Sequence, residues 1–160
     1  MPNIIEHPER PYIGIRRIIT MTTFAVIADR IGEMVGWVHA YGGEVAGGPF
    51  FRYRSIDMPD RLDVEAGVPV TAPMEGEGDI FAATLPAGTY ATVRHHGHPD
   101  GLMEVVTNLL AWGDDQGLKW DMSREGDTEH WGCRLEIYRT DPRVEPDMNN
   151  WDTDLEFRLA

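Results

Sequence analysis

A chain of 160 residues fits one domain with a sizeable core, and its 14 Lys and Arg against 27 Asp and Glu leave a net charge of −13. That charge disfavours phosphate backbones and anionic lipid surfaces, so neither direct nucleic-acid binding nor membrane association is expected. Cys133 is the single cysteine, which excludes an intramolecular disulfide; with neither a signal-like N-terminus nor an apolar run of spanning length, the expected compartment is the cytoplasm.

Tyr12 to Thr20 is β-branched and aromatic enough for a strand, although Arg16 and Arg17 interrupt its alternation. Thr22 or Thr23 then caps a helix. Its apolar positions Phe24, Ile27, Ile31, Met34 or Val35, and Val38 recur at steps of three and four, and the pattern ends near Tyr41 with Gly42 as a left-handed stop. Gly42, Gly43, Gly47 and Gly48 form a linker. Phe50 to Ile56 reads as a strand, Asp57-Met58-Pro59-Asp60 as a turn, and Leu62 to Val70 as a further strand, which makes the first half β-α-β-β.

Val70 to Asp79 has the composition of a seam. Beyond it come a short strand, Ile80 to Leu85, a Pro86-Ala87-Gly88 turn and a strand from Thr89 to His95. Asp100 is placed to cap a second helix, with Leu102, Val106, Leu109 and Gly113 on one face and Gly117 as its stop. Trp131 to Tyr138 reads as one strand, on which Leu135 and Ile137 share one face and Arg134, Glu136 and Tyr138 the other. A Pro-containing loop from Asp141 to Asn150 leads to a last strand from Asp152 to Leu159. The second half is again β-α-β-β.

Two copies of one pattern indicate an internal duplication, with half-repeats at about residues 12–70 and 80–160 of a single domain. Matching the Tyr-Arg-Ser/Thr ends of the two strands makes Tyr53 mirror Tyr138 and Phe51 mirror Glu136. The expected fold class is α+β: an antiparallel sheet with pseudo-twofold symmetry, both helices on one side, and a ligand groove on the other.

The same residues resemble the GyrI-like, or AraC-type effector-binding, small-molecule-binding domains. The resemblance runs over nearly the whole chain, through Gly48-Pro49-Phe50 leading to Tyr53, Asp63 to Val70, Leu85 to Ala91, His96-Gly97, Trp112, and Leu135-Glu136-Ile137-Tyr138. Gly97-His98-Pro99 departs from it, standing where a Gly-Pro-Tyr-like run is commoner. The resemblance implies a groove between two β-α-β-β units with Glu136 on its floor. It also implies one of three roles: the sensor half of a multidrug-responsive transcription factor, a free-standing gyrase-inhibitory or drug-protective protein, or a hydrolase of cyclopropane-containing genotoxins. Only about a dozen residues precede the first strand, so a free-standing protein is expected rather than one with its own helix-turn-helix.

A carboxylate in an aromatic groove loses hydration, and an organic cation would compensate it while gaining cation–π attraction. The expected ligands are therefore hydrophobic or cationic small molecules, held by Glu136 with Tyr138, Phe51, Tyr53, Tyr90, Trp112 and Trp131. Trp112 and Trp131 fit a core as well as a pocket. The same group could catalyse hydrolysis, with Glu136 handling a proton and Tyr138 or Tyr53 supplying a hydrogen bond. A third reading is a protein-interaction module whose acidic surface shields a partner such as gyrase. His95 and His96 alternate across a strand, so neither a metal nor another cofactor is expected there, and the Gly42 to Gly48 segment lacks the Gly-Lys-Ser/Thr of a phosphate loop.

Overall fold

The computed structural model describes residues 1–58 and 60–160. Its strands are β1 (Asn3–His7), β2 (Arg10–Ile19), β3 (Phe50–Asp57), β4 (Arg61–Pro69), β5 (Phe81–Leu85), β6 (Gly88–His96), β7 (Met122–Glu125), β8 (Thr128–Trp131), β9 (Arg134–Tyr138) and β10 (Asp152–Arg158). The helices are α1 (Ala25–Ala28), α2 (Ile31–Ala40) and α3 (Leu102–Asp115). Of the expected Asp57–Asp60 turn, Pro59 lies outside the described residues.

The strands form one antiparallel sheet in the order β1-β6-β10-β9-β3-β4-β2-β5, with the β7-β8 hairpin attached through β8 to β3. This order is the same from either end if the halves are exchanged. Its centre is the β9–β3 pair, where Phe51 lies directly opposite Glu136. Tyr53 opposes Val64 on β4, and Tyr138 opposes Thr153 on β10, so the two tyrosines occupy equivalent positions on either side of the pseudo-twofold axis. The duplication read from the sequence is therefore present in the register. The strand leading into each half is exchanged: β1 pairs with β6 of the second half, and β5 with β2 of the first.

Alternation sends each strand's side chains to two different interiors. Ile13, Ile15, Val64, Ala66, Leu155 and Phe157 pack with Met34 and Val38 of α2 and with Leu102 and Leu109 of α3. Tyr12, Phe50, Tyr90, Leu135 and Ile137 face the other way and form a second cluster, joined by Ile5 of β1 and Phe81 of β5. Residues from both edges of the sheet thus meet over its centre, which means that the sheet curls around its helix-free face.

Three local expectations are corrected. The first helix is interrupted between Ala28 and Ile31, where the Arg30 guanidinium binds Asp79 (2.8 and 3.0 Å) and Glu33 (2.7 Å); Thr23 turns its hydroxyl back to accept from the Thr20 amide (2.8 Å) instead of capping the helix. Gly42 is left-handed as expected (φ 78°). Asp100 does not cap α3: it lies in the short 3-10 turn Pro99–Gly101, whose cap is the His98 side chain accepting from the Asp100 amide. Finally, Trp131 to Tyr138 is not one strand. It breaks at Gly132, where a Cβ would stand 1.8 Å from the Asp121 carboxylate, and the Gly132 carbonyl accepts from Arg52 (2.8 Å). The break reverses the alternation, so Trp131 joins Trp120 and Phe157 in the helix-side core while Leu135 faces the opposite cluster.

Candidate functional site

Beside the axis, the sheet face carrying the helices is left uncovered between α1 and α3. A groove of about 640 Å³ opens there, within the range of small-molecule sites. Its floor is Phe51, Tyr53, Glu136 and Tyr138. One wall is α3, which contributes Leu102, Met103, Val106 and Leu110; the other is Phe24 with Met21 and Met58. The groove therefore lies on the helix side, not on the far side as the bare β-α-β-β pattern led us to expect. Curling fills the far face with the sheet's own edges, while the central strands stay open on the helix side between Phe24 and α3.

Two devices turn the floor residues into this space. Glu136 and Tyr138 follow from strand parity on β9. On β3 the register shifts between Tyr53 and Ser55, a bulge at Arg54 that lets Tyr53 and Ile56 both line the groove while Arg54 turns to the other face. Phe24 packs on Phe51 and Tyr53 (ring centroids 5.4 and 6.1 Å), and Phe51 meets Tyr138 edge-on at 5.5 Å. This cluster fixes the aromatic floor.

Glu136 sits at its middle. The Tyr53 hydroxyl donates to Oε2 (3.1 Å) and the Tyr138 hydroxyl to Oε1, so the two pseudo-equivalent tyrosines bind one carboxylate on the axis. Burial pushes the Glu136 carboxyl above the ordinary glutamate range, against the two hydrogen bonds and the nearby charge of Arg134. Burial, with the carboxylate's charge next, likewise raises both tyrosine hydroxyls and keeps them donors. Arg134, from the same face of β9, completes the floor and stacks over the rings of Phe157, Trp131 and Tyr53 at 4.6, 5.0 and 5.5 Å.

The structure thus brings together Glu136, Tyr138, Phe51 and Tyr53. It does not bring Tyr90, Trp112 or Trp131 to the groove surface. Tyr90 is fully buried on the opposite face, its hydroxyl donating to the Pro86 carbonyl (2.7 Å). Trp112 packs half-buried against the helix-side core, and Trp131 is 5% exposed beneath Arg134. Sequence reasoning missed Arg134, Phe24, Met103 and Leu110. Arg134 shared the parity of Glu136, and Met103, Val106 and Leu110 form a second apolar stripe beside Leu102, Leu109 and Gly113, so both signals were present.

The histidines are placed apart. His95 Nε2 meets the His98 carbonyl (3.0 Å), His96 Nδ1 the Asp152 carboxylate (2.9 Å), and His98 Nδ1 the Asp100 amide (3.0 Å). Among the described residues no three His, Cys, Asp or Glu side chains gather as metal ligands, and no helix is long and apolar enough to cross a membrane.

Comparison with known proteins agrees with the fold. No curated protein matches the chain in sequence. Among solved structures, the fold is similar to the EcmrR C-terminal domain (TM-score 0.76, 20% identity, covering 100% of this chain and 97% of that one). It is also similar to EcmrR in a complex with DNA (TM-score 0.79, 22% identity), where it covers 99% of this chain but spans only 57% of the EcmrR chain. A hydrolase from Listeria innocua (TM-score 0.66, 11% identity, 99% and 91% covered) and SAV2435 bound to tetraphenylphosphonium (TM-score 0.56, 10% identity, 100% and 94% covered) share the architecture. At these identities the likeness concerns the fold alone. The family model of the GyrI-like small molecule binding domain matches residues 1–160, and the chain belongs to that family.

Proposed function

We propose that the protein binds drug-like xenobiotics, capturing apolar or cationic aromatic molecules in the groove between α1 and α3. The observation that carries this reading is Glu136: a carboxylate on an apolar floor, both of its oxygens taken by tyrosine hydroxyls that cannot neutralise it. Accepting at both oxygens favours the ionised carboxylate, while burial disfavours it and outweighs the hydrogen bonds. A flat organic cation relieves the conflict and gains about 0.5–2 kcal/mol from each desolvated ring it covers. The methionines at the mouth suit varied shapes, since thioether side chains repack at low cost. Tetraphenylphosphonium on SAV2435, a protein of the same fold, is also an aromatic organic cation, tetrahedral rather than flat.

Isothermal titration with tetraphenylphosphonium tests the reading. Micromolar binding is expected, weakened by roughly 10- to 100-fold in Glu136→Gln, as befits the loss of a charged partner worth about 1.5–3 kcal/mol. Failure of a whole panel of aromatic cations to bind, or equal binding by Glu136→Gln, would sink it.

The raised Glu136 carboxyl between two hydroxyl donors also favours a second reading, hydrolysis of reactive xenobiotics, with Glu136 as proton donor or acceptor and Tyr138 or Tyr53 stabilising developing charge. It predicts product formation from strained-ring substrates that is catalytic in protein and lost in Glu136→Gln. Stoichiometric binding without turnover decides against it.

A further inference from the structure

Glu136 is not the only charge on the floor. Arg134 stands two residues earlier on the same face of β9, so the backbone positions of the two are about 7 Å apart. Its side chain is only 13% exposed, and its guanidinium plane is packed among the rings of Phe157, Trp131 and Tyr53. Among the described residues its single ion-pair contact is Glu129 Oε1 at 3.8 Å, beyond hydrogen-bonding reach. Glu129 is itself divided, accepting the Trp131 indole N–H (2.9 Å) and pairing with Arg124 (3.3 Å). The result is a guanidinium largely removed from water, beside three aromatic side chains, with N–H donors that no acceptor among the described residues engages at hydrogen-bonding distance.

An apolar side chain would fill the same space among the rings without the cost of desolvating a charge. A cation kept there, facing a groove, is suited to an acceptor that arrives from outside. The planar fork matches a carboxylate, sulfonate or phosphonate in a bidentate manner, and ring stacking fixes the plane in advance.

We propose that Arg134 is an anion-recognition subsite of the groove, so that the preferred ligands are amphoteric aromatics: a cationic centre that meets Glu136 and, on the same molecule, an acidic group that meets Arg134. This rests on the groove being the ligand site. It narrows the ligand class from aromatic cations in general to those that also carry an acid, and it predicts discrimination between a ligand and its own ester.

Rhodamine B and its ethyl ester make the test, because they share one xanthylium cation and differ only at the carboxyl group. Isothermal titration of the full chain at neutral pH is expected to show the acid binding about tenfold or more tighter than the ester, as for one charge-assisted pair. Arg134→Met, which keeps a long side chain against the rings, is expected to bring the ratio of acid to ester affinity close to one, whatever it does to the two affinities together; Arg134→Lys is expected to retain part of the preference. Equal binding of acid and ester by the wild-type chain overturns the subsite without any variant having to fold, and so does a preference that survives in Arg134→Met. A preference for the acid that is lost in Arg134→Met but accompanied by full binding in Glu136→Gln supports the subsite and removes the cation reading. Binding of neither dye, while tetraphenylphosphonium binds, overturns the subsite and leaves the cation reading standing.

Discussion

Two carboxylates on central strands with only β3 between them make an informative pair. Glu65 of β4 and Glu136 of β9 each accept a tyrosine hydroxyl, and they lie on opposite faces of the same sheet. Glu65, 2% exposed, also accepts from Arg54 (3.2 Å), while Arg52 donates to the Tyr12 hydroxyl that binds it (3.0 Å). Its charge is matched within the fold. Glu136 has hydroxyls where Glu65 has guanidinium, and open space in front of it. Burial alone therefore does not mark a site: what distinguishes Glu136 is charge left incompletely neutralised beside a cavity large enough for a molecule.

Three further experiments put this contrast to the test. The largest effect is expected from Glu65→Ala, which leaves the buried Tyr12–Arg52 pair without its carboxylate and is expected to cost about 3 kcal/mol of unfolding free energy, read by urea denaturation, with ligand affinity unchanged. A weakened groove in a still-folded Glu65→Ala would mean that the two faces are coupled and the contrast false.

The second effect concerns pH. Because Glu136 holds its proton to higher pH in the folded chain than in the unfolded one, the folded state binds more protons across that interval. The stability this contributes is complete below the unfolded value and is lost as pH rises through the folded one, at about 1.4 kcal/mol per pH unit of separation. Cation affinity runs the other way, rising with pH as the carboxylate forms. The difference between wild type and Glu136→Gln, followed by denaturation and by titration calorimetry across the acid range, is expected to show both trends; a difference that does not vary with pH contradicts the raised carboxyl.

The smallest effects belong to Tyr53→Phe and Tyr138→Phe. Each removes one donor, is expected to weaken cation binding by about 1 kcal/mol, and moves the acid limb of the binding profile to higher pH. The tyrosines occupy equivalent register positions, so the two variants are expected to agree in direction. A silent member of the pair would show that register symmetry does not extend to the chemistry.

Much of this arrangement was legible in the chain. Matching the Tyr-Arg-Ser/Thr ends placed Tyr53 with Tyr138 and Phe51 with Glu136, and the register at β3 and β9 agrees. Period-two alternation put Glu136 and Tyr138 on one face. What could not be read was which face would be closed, because that depends on β1 and β5 reaching the far edges, and a five-residue segment such as Asn3–His7 carries little pattern of its own. The misplacement of Tyr90 follows from the same gap: it lies on the far face, where those edges seal it in. Trp131 was misread for a local reason. One glycine, placed where the Asp121 carboxylate crosses, reversed an alternation that otherwise ran unbroken into Leu135. The bulge at Arg54 is similar, a one-residue shift invisible to periodicity that decides what faces the ligand.

The exchanged leading strands have a consequence for how the protein is assembled. Asn3 lies opposite Thr92 and Arg10 opposite Leu85, so the outermost ladders join residues far apart in the chain, and each half is finished only by a segment borrowed from the other. Closing such long loops is entropically expensive and slow, so neither unit can serve as a ready template for the next. The strand order thus ties the halves into one cooperative body, and a nascent chain released after its first seventy residues would still lack the partner for its own first strand.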